Sequence, residues 1–258
     1  PHALPDEIFH PIQDKNMLKS ARVQLLGESR KDHFVTFWVN RNAKRKRPND
    51  LLWGWSLFAK MVEEKYGKKD ITLLMHTQPD DSEGPNLYAT SEMLGISDSV
   101  VFSPERIDFE KMNILHNISD ICINVSYAEG FGLATLEAMQ CGKPIIALKT
   151  GGLTRQVVDH RDGSENGVGL DVTHQTLVGS QQVPYIYEDY CSAQDIADAL
   201  MKMYELTQEE REALGEKARS YVQSEFALQD TIDQWDDSLL DLVQNWRKRY
   251  KPWSIKEF

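Results

Sequence analysis

The sequence predicts an α/β protein built on a doubly wound sheet of about six parallel strands, followed by C-terminal helices. Up to about residue 172, short apolar runs alternate with longer segments of helical periodicity. One apolar run leads through a Gly-x-Gly turn directly into a helix, as in the strand-to-helix crossovers of such sheets. Because ligands of doubly wound sheets bind beyond the carboxyl ends of the strands, functional residues are expected there.

Each predicted element has its own pattern. The strands are short apolar runs, predicted over 33–39, 70–75, 99–102, 120–125, 144–148 and 167–172. The helices between them are predicted over 50–65, 88–94, 109–117 and 133–140. The segment 174–189 is polar and aromatic with no clear period, so we predict a long loop there.

Three amphipathic helices are predicted in the C-terminal part, over 191–206, 208–225 and 229–249. Thr207 precedes the second of them, a position that favours a helix start. One face of the last helix is apolar and consists of Ile232, Trp235, Leu239, Leu242, Val243 and Trp246. We expect the first half of this stripe to pack on the same domain.

Composition narrows the class of protein. At 258 residues, the chain is long enough to bury a substantial core. Its net charge of −11 argues against non-specific binding to nucleic acid or to an anionic membrane. The three cysteines have no metal-ligand spacing, and Cys122 and Cys141 lie in apolar surroundings. Buried, unpaired thiols predict a reducing compartment, so we expect a cytoplasmic protein.

Two glutamates, Glu129 and Glu137, flank the Gly-x-Gly turn. Gly130 and Gly132 let backbone N–H groups approach a ligand closely, and the start of the following helix attracts a phosphate. Glu137 lies one turn inside that helix, and its side chain leans back toward the crevice that holds Glu129. Such a site suits a nucleotide sugar. The alternative is an ordinary strand–turn–helix whose glutamates are solvated.

The same residues carry a resemblance to a known family. The sixteen residues from Glu129 to Pro144 are similar to the signature E-G-F-G-L-x-x-L-E-A-M-x-x-G-x-P of retaining glycosyltransferases of family four, and a Gly-Gly turn follows in both. The resemblance implies the Rossmann-like donor half of a two-domain GT-B enzyme. It implies that Glu129 binds the donor sugar, that Glu137 binds the ribose, and that backbone groups of Gly130, Phe131, Gly132 and Leu133 contact the donor diphosphate.

A basic stretch follows the first predicted strand, with five basic residues among the seven of 41–47. The resemblance assigns Arg41 and Lys46 to the donor diphosphate, where they would stabilise the charge of the leaving group. The alternatives are a nucleic-acid patch or a solvated charge run. The family usually has glycine where this chain has Arg47, so the turn is expected to differ. Lys44, Arg45 and Arg47 are expected to be surface groups or acceptor contacts.

Two further loops are implicated through the resemblance. The loop 103–107, which contains Arg106, lies where this family holds the nucleobase. The glycines Gly151 and Gly152 suggest a tight backbone turn that faces the donor. Three positions later the family commonly has glutamate, whereas this chain has Arg155, so any contact made by that glutamate is lost here.

No metal or cofactor is predicted. No histidine is placed as a general base, and the paired Asp80 and Asp81 lack the strand context of a metal-binding D-x-D motif. The family is metal-independent, so we expect a nucleoside-diphosphate sugar as substrate and neither metal nor cofactor.

The resemblance also predicts how the chain is organised. Residues 1–12 are similar to an interdomain segment, 13–228 to the nucleotide-sugar-binding domain, and 229–258 to a crossover helix and tail. Because Pro1 is not a native start, we expect an excised segment or a processed product whose acceptor domain lies elsewhere in the same or another chain. We expect no nucleic-acid partner and no transmembrane segment. Any peripheral membrane contact would be made by the missing half.

These observations predict a retaining glycosyltransferase of the hexosyltransferase type. The chain would bind a nucleoside-diphosphate sugar, and the intact protein would transfer the sugar to an acceptor hydroxyl. This half alone is expected to be nearly inactive. Two other functions remain open: a nucleotide-sugar-binding module or subunit that needs a separate acceptor domain, and, with less support, a nucleotide-sugar epimerase.

Overall fold

A computed structural model of the chain describes residues 2–251. The first residue of the predicted interdomain segment and residues 252–258 of the predicted tail lie outside this range. Six strands form one parallel sheet in the order β3-β2-β1-β4-β5-β6, which confirms the predicted fold class. The strands are β1 (Phe34–Val39), β2 (Ile71–His76), β3 (Val100–Phe102), β4 (Ile121–Asn124), β5 (Ile145–Leu148) and β6 (Gly167–Leu170).

The strand order shows at which point of the sheet a ligand crevice is expected. From β1 the chain continues outward on one side to β2 and β3, and from β4 it continues outward on the other side to β5 and β6. The neighbours β1 and β4 therefore form the switch point of the sheet, where helices leave toward opposite faces and a crevice opens at the carboxyl ends of the strands. Residues that follow Val39 and Asn124 are brought together at this point.

Helices cover both faces of the sheet. They are α1 (Lys15–Leu26), α2 (Pro48–Tyr66), α3 (Leu87–Met93), α4 (Phe109–Ile118), α5 (Leu133–Gln140), α6 (Gly151–Val157), α7 (Ala193–Glu205), α8 (Gln208–Glu225) and α9 (Leu228–Arg249). Helices α2 and α7 approach so closely that a Cβ on Gly54 would stand 2.5 Å from Cγ2 of Ile196. The strand residues between the helical layers are nearly all buried, so the sheet is the centre of the core.

Two of these helices were not predicted. Helix α1 has a single buried residue, Leu26, so its sequence carries little of the apolar periodicity that marks a helix. Its start is stabilised instead by Asp14, whose side chain accepts hydrogen bonds from the backbone N–H groups of Asn16 and Met17. Helix α6 begins at Gly151 and Gly152, two residues of low helix propensity that suggested a turn.

The predicted loop over 174–189 is wrong. This segment forms an antiparallel hairpin of β7 (His174–Val178) and β8 (Ile186–Tyr190). Most of its residues are exposed, so neither strand shows the alternation of apolar and polar residues that burial of one face produces. The hairpin is inserted between β6 and α7.

The expectation for the last helix is also wrong. None of the residues of α9 is buried within the described chain, and Ile232 and Trp235, in the half that was expected to pack, are 49% and 59% exposed. The apolar stripe is present as predicted, but periodicity alone does not say which surface covers it. The face of α9 that consists of Ile232, Trp235, Leu239, Leu242, Val243 and Trp246 is called the α9 face below.

Residues 2–12 lie against the domain. The Phe9 ring is buried and contacts the rings of Phe109 and His116 edge to face. The side chain of Asn117 accepts a hydrogen bond from the N–H of Ile12 and donates one to the carbonyl of His10. The segment predicted as an interdomain connection is therefore anchored to α4.

All three cysteines are free and buried, as predicted for Cys122 and Cys141. Burial raises the pKa of all three thiols, that of Cys191 to about 11. At neutral pH these groups are therefore weak nucleophiles. Within residues 2–251, no helix is long and apolar enough to cross a bilayer.

Candidate functional site

A cavity of about 330 Å³ lies at the carboxyl edge of β1 and β4. Two loops form most of its wall, one after β1 and one between β4 and α5. The lining residues are His2, Asn40, Lys46, Asn124, Glu129, Phe131, Gly132, Leu133 and Ala134. The structure thus brings five of the predicted site residues into one cavity, which we call the donor cavity: Lys46, Glu129, Phe131, Gly132 and Leu133.

The centre of the donor cavity is an ion pair between Lys46 and Glu129. Lys46 ends a short 3₁₀ turn, Lys44–Lys46, and its ammonium donates to Oε2 of Glu129. The two side chains are only 10% and 11% exposed. Burial lowers the pKa of Lys46, and the hydrogen bond to Glu129 opposes this shift. A cation and a carboxylate are therefore held side by side, so that one can meet an anionic part of a ligand and the other its hydroxyls.

Arg45 adds a second, looser cation to the same carboxylate, with its Nη1 3.7 Å from Oε2 of Glu129. Its side chain is half exposed, and its carbonyl accepts a hydrogen bond from the N–H of Tyr127. That backbone bond ties the loop of Lys46 to the loop of Glu129. Arg45 is thus an exposed residue that pairs with Glu129 without lining the donor cavity, and Lys44 is exposed as expected.

Arg47, expected at the surface, is only 8% exposed. Its backbone has φ 52° and ψ 45°, the left-handed conformation that glycine favours, and no other non-glycine residue between 2 and 251 has a positive φ. Two contacts hold the side chain. Nε donates to Oδ2 of Asp50 at 2.7 Å, and the guanidinium lies 4.4 Å from the ring centroid of Tyr190. Arginine thus occupies a backbone position suited to glycine because its side chain is anchored.

This combination gives a testable prediction. Arg47→Ala loses both side-chain contacts and keeps the left-handed strain, whereas Arg47→Gly loses the contacts and relieves the strain. The strain of about 1–2 kcal/mol exceeds the extra chain entropy of glycine, about 0.4–1 kcal/mol, so Arg47→Gly should be the more stable variant by about 0.5–1 kcal/mol. Urea unfolding of both variants measures this difference, and an equal or greater stability of Arg47→Ala would contradict it.

The turn before α5 presents backbone donors to the donor cavity. Gly132 has φ 93° at the N-cap and offers no side chain to cap the helix, while Leu133 and Ala134 in the first turn line the cavity. The first amides of a helix lack partners within the helix and carry partial positive charge. A phosphate in the cavity would meet these amides and the ammonium of Lys46.

Helix α6 supports the loop of Glu129 from behind. The N–H of Gly152 donates to the carbonyl of Glu129 at 3.1 Å. A Cβ on Gly152 would stand 2.5 Å from Cα of Phe131, and one on Gly151 would stand 2.0 Å from the carbonyl oxygen of Glu129. The two glycines were predicted to form a turn facing the donor. They begin a helix that contacts the loop of Glu129, which is called the donor loop below. Arg155 lies on the same helix and forms an ion pair with Glu225.

Two asparagines in the donor cavity were missed by the sequence analysis. Asn40 directly follows β1 and Asn124 ends β4. In both, the buried Nδ2 has no hydrogen-bond partner among residues 2–251. The Oδ1 of Asn124 accepts from the N–H of Ser126, which fixes the orientation of that amide and leaves Nδ2 as a free donor. Their position at adjacent strand ends was the only sequence signal that could have found them.

Four predicted residues do not line the donor cavity: Arg41, Arg106, Gly130 and Glu137. Glu137 contacts the buried His116 instead. Oε2 of Glu137 lies 3.1 Å from Nε2 of His116, within hydrogen-bond distance. Arg41 is 60% exposed and paired with Asp81 and Glu83 in the loop after β2. Arg106 lines a separate cavity of about 610 Å³ between α1, α4 and the loop after β3. Their roles stay predictions, as does that of the exposed Gly130.

The acidic and imidazole groups of the described residues show no metal-binding arrangement. Between residues 2 and 251, no three His, Cys, Asp or Glu side chains are grouped to hold an ion. Asp81 instead pairs with Arg41, and Asp80 accepts a hydrogen bond from Gln78. One histidine, His2, does line the donor cavity, where its ring meets that of Phe131 edge to face with centroids 4.9 Å apart.

Comparison with known proteins places this site in a family. The family profile described as "Glycosyl transferases group 1" matches residues 27–221. A D-inositol 3-phosphate glycosyltransferase of Catenulispora acidiphila is 36% identical over 136 residues, which are 52% of this chain and 31% of that protein. The chain spans about a third of the length of the curated relatives it matches.

Solved structures show the same fold. HepE of Anabaena, in a structure with UDP and glucose, superposes with a TM-score of 0.70 at 17% identity, over 93% of this chain and 56% of that one. The C-terminal domain of a group 1 glycosyl transferase, LpcC of Francisella tularensis, gives a TM-score of 0.63 at 19% identity, over 87% of this chain and 99% of that domain. The chain therefore has the Rossmann-like α/β fold of this C-terminal domain.

Proposed function

The chain belongs to the group 1 glycosyl transferases, and we propose that it binds a nucleoside-diphosphate sugar as the donor half of a retaining enzyme. One observation carries the proposal: Lys46, Glu129 and the start of α5 meet in one cavity at the switch point of the sheet. That cavity offers a cation and free amides for a diphosphate, next to a carboxylate for sugar hydroxyls.

The residues take the following roles. Lys46 and the first amides of α5 bind the diphosphate, and the free Nδ2 groups of Asn40 and Asn124 donate to donor oxygens that enter the cavity. On donor binding Lys46 exchanges part of its contact with Glu129 for the phosphate. Glu129 then accepts hydrogen bonds from hydroxyls of the sugar. Glu137 binds the ribose, and Arg41 and the loop of Arg106 close around the diphosphate and the base.

We propose retention at the anomeric carbon, and the same set of groups supports it. The cavity is rich in phosphate ligands, and Glu129, its only carboxylate among the described lining residues, is engaged by two cations. We propose a front-face path in which the bond between the anomeric carbon and the diphosphate oxygen breaks and the acceptor oxygen bonds to that carbon from the same face. The leaving phosphate takes the proton of the acceptor hydroxyl. Lys46 stabilises the negative charge on that phosphate as it develops.

We propose that a separate domain binds the acceptor. The chain covers about a third of its curated relatives and just over half of HepE, so these proteins contain a further part that this sequence does not match. The α9 face is the apolar surface that such a domain would cover. On this view the chain alone binds the donor and transfers little. We also propose a cytoplasmic location, which suits three free thiols.

A nucleotide panel tests the proposal. UDP, GDP and ADP and their glucose conjugates are added to the chain, and both melting temperature and calorimetric heat are recorded. UDP is included because the HepE structure holds it. A binding nucleotide at a hundred times its dissociation constant should stabilise the fold by about 2.7 kcal/mol. No stabilisation and no heat with any of the six compounds would refute donor binding.

The chief alternative is a binding module that never transfers. Its support is the α9 face, an exposed apolar surface that a separate acceptor-binding subunit would cover. Joining the chain to the acceptor domain of a related enzyme separates the two. Transfer to inositol 3-phosphate or another hydroxyl acceptor would support the transferase, and tight donor binding without transfer would support the module.

A further inference from the structure

The β7–β8 hairpin touches the domain mainly through one end. Its turn and outer residues are exposed, whereas Asp189 and Tyr190, the last residues of β8, are half buried. These two residues contact the segments that form the donor cavity. The hairpin is thus a surface insertion whose base lies at the functional edge of the sheet.

Asp189 joins two of those segments. Its N–H donates to the carbonyl of Tyr127 at 2.9 Å, two residues before Glu129. Its Oδ2 accepts a hydrogen bond of 2.6 Å from Oγ1 of Thr150. Thr150 is the N-cap of α6, the helix whose glycines support the carbonyl of Glu129. One residue of the hairpin therefore fixes both the loop of Glu129 and the helix behind it.

Tyr190 joins the loop after β1, which holds Lys46, to the loop that holds Glu129. The guanidinium of Arg47 lies 4.4 Å from the centroid of the Tyr190 ring. The ring of Tyr127 also packs near it, with the two ring centroids 5.8 Å apart. Arg47 is adjacent to Lys46 in the chain, and Tyr127 is close to Glu129. A single aromatic ring therefore bridges the loop that holds the cation of the donor cavity and the loop that holds its carboxylate.

The two loops also contact each other directly, through the hydrogen bond from the N–H of Tyr127 to the carbonyl of Arg45 and through the ion pair of Lys46 and Glu129. The bridge adds a contact that also holds Arg47. Arg47 has a left-handed backbone, which costs energy unless its side chain is held. Lys46 and Glu129 must be held at close range while both are nearly buried, so small displacements of either loop alter their geometry.

We propose that the end of β8 is a positioning element of the donor site, in which Tyr190 and Asp189 fix the relative placement of Lys46 and Glu129. It acts through Arg47, Tyr127 and Thr150 and does not touch the donor. The proposal concerns the geometry of the two loops, and only its effect on affinity rests on the proposed function.

Two matched pairs of variants test it. Tyr190→Ala removes the ring, whereas Tyr190→Phe keeps the ring and loses only the hydroxyl, which donates to Glu188. Asp189→Ala removes the acceptor for Thr150, whereas Asp189→Asn keeps a carbonyl oxygen in that position. The second pair also serves if Tyr190→Ala does not fold.

Hydrogen exchange of the full chain without ligand measures positioning directly. In Tyr190→Ala and Asp189→Ala, amides in 44–47 and 127–133 should exchange about tenfold faster or more, because local opening becomes easier, while those of β2 and β3 keep their rates. Tyr190→Phe and Asp189→Asn should resemble the wild type. Unchanged exchange in both alanine variants overturns the proposal, and so does acceleration spread evenly over the sheet.

Calorimetry with UDP, GDP and ADP measures the consequence. For whichever nucleotide binds the wild type most tightly, the two alanine variants should raise Kd by about tenfold, and the Phe and Asn variants by less than about twofold. Wild-type affinity in both alanine variants contradicts the positioning role. If the wild type binds none of the three, donor binding itself fails, and hydrogen exchange alone decides whether β8 positions the loops.

Discussion

Replacing Lys46 with alanine is expected to raise the Kd for a nucleoside diphosphate by about 10- to 150-fold, since a hydrogen bond to a charged group contributes about 1.5–3 kcal/mol. The upper end is expected here for two reasons. The ammonium is nearly buried, so water replaces it poorly. Its removal also leaves the carboxylate of Glu129 without its closest cation, facing the phosphates.

A neighbouring lysine supplies the matched control. Lys44 lies in the same 3₁₀ turn and carries the same charge, but its side chain is exposed and does not line the donor cavity. Lys44→Ala should change Kd by no more than about twofold at physiological ionic strength, because screened surface charges interact weakly. Equal effects of Lys44→Ala and Lys46→Ala would mean that net charge, and not the site, binds the nucleotide.

The partner of Lys46 should show a different selectivity. Glu129 is proposed to hold sugar hydroxyls. Glu129→Ala should therefore raise the Kd for the nucleotide sugar by about tenfold or more relative to its effect on the Kd for the free nucleoside diphosphate. Lys46→Ala should raise the Kd for the nucleotide sugar and for the nucleoside diphosphate alike. Calorimetry of each variant with UDP and UDP-glucose, or with the base that binds, gives this comparison. If both variants bind the nucleotide sugar like the wild type, the assignment of the site is wrong.

The sequence predicted the centre of this site because the relevant signals are local. Lys46 and Glu129 are 83 positions apart, but each lies in the loop that follows a strongly apolar strand, and parallel strands end at a common edge. The motif from Glu129 to Pro144 then predicted the kind of ligand. The six strands could be predicted because each reads as a short apolar run, and β1, β2, β4 and β5 are buried at nearly every position.

The remaining features depend on contacts between distant residues. Asn40 and Asn124 are of interest because their buried Nδ2 groups have no hydrogen-bond partner within residues 2–251, which no local pattern records. The hairpin is exposed on both faces, so its residues follow no burial period. Arg47 was predicted to be a surface group because it is charged, and its burial depends on Tyr190, which lies 143 positions later in the sequence (190 − 47).

The last prediction concerns the support behind the donor loop. Gly152→Ala should weaken binding of the nucleotide by about 10- to 100-fold, because a displacement of about 1 Å in a site can cost two orders of magnitude. The new Cβ would stand 2.5 Å from Cα of Phe131 and 2.7 Å from the carbonyl oxygens of Gly130 and Phe131. These are backbone atoms, so no rotamer change relieves the overlap, and the loop of Glu129 must move away from α6.

Stability separates this effect from a general loss of structure. Overpacking of this kind costs about 1–3 kcal/mol, which urea unfolding of Gly152→Ala should reveal alongside the weaker binding. Gly130 lies in the same loop and has no positive φ, and a Cβ added to it would meet no atom of the described chain within 4 Å. Gly130→Ala should therefore leave the free energy of unfolding within about 0.5 kcal/mol of the wild type. A Gly152→Ala protein that binds the nucleotide with wild-type affinity would show that α6 does not hold the donor loop in place.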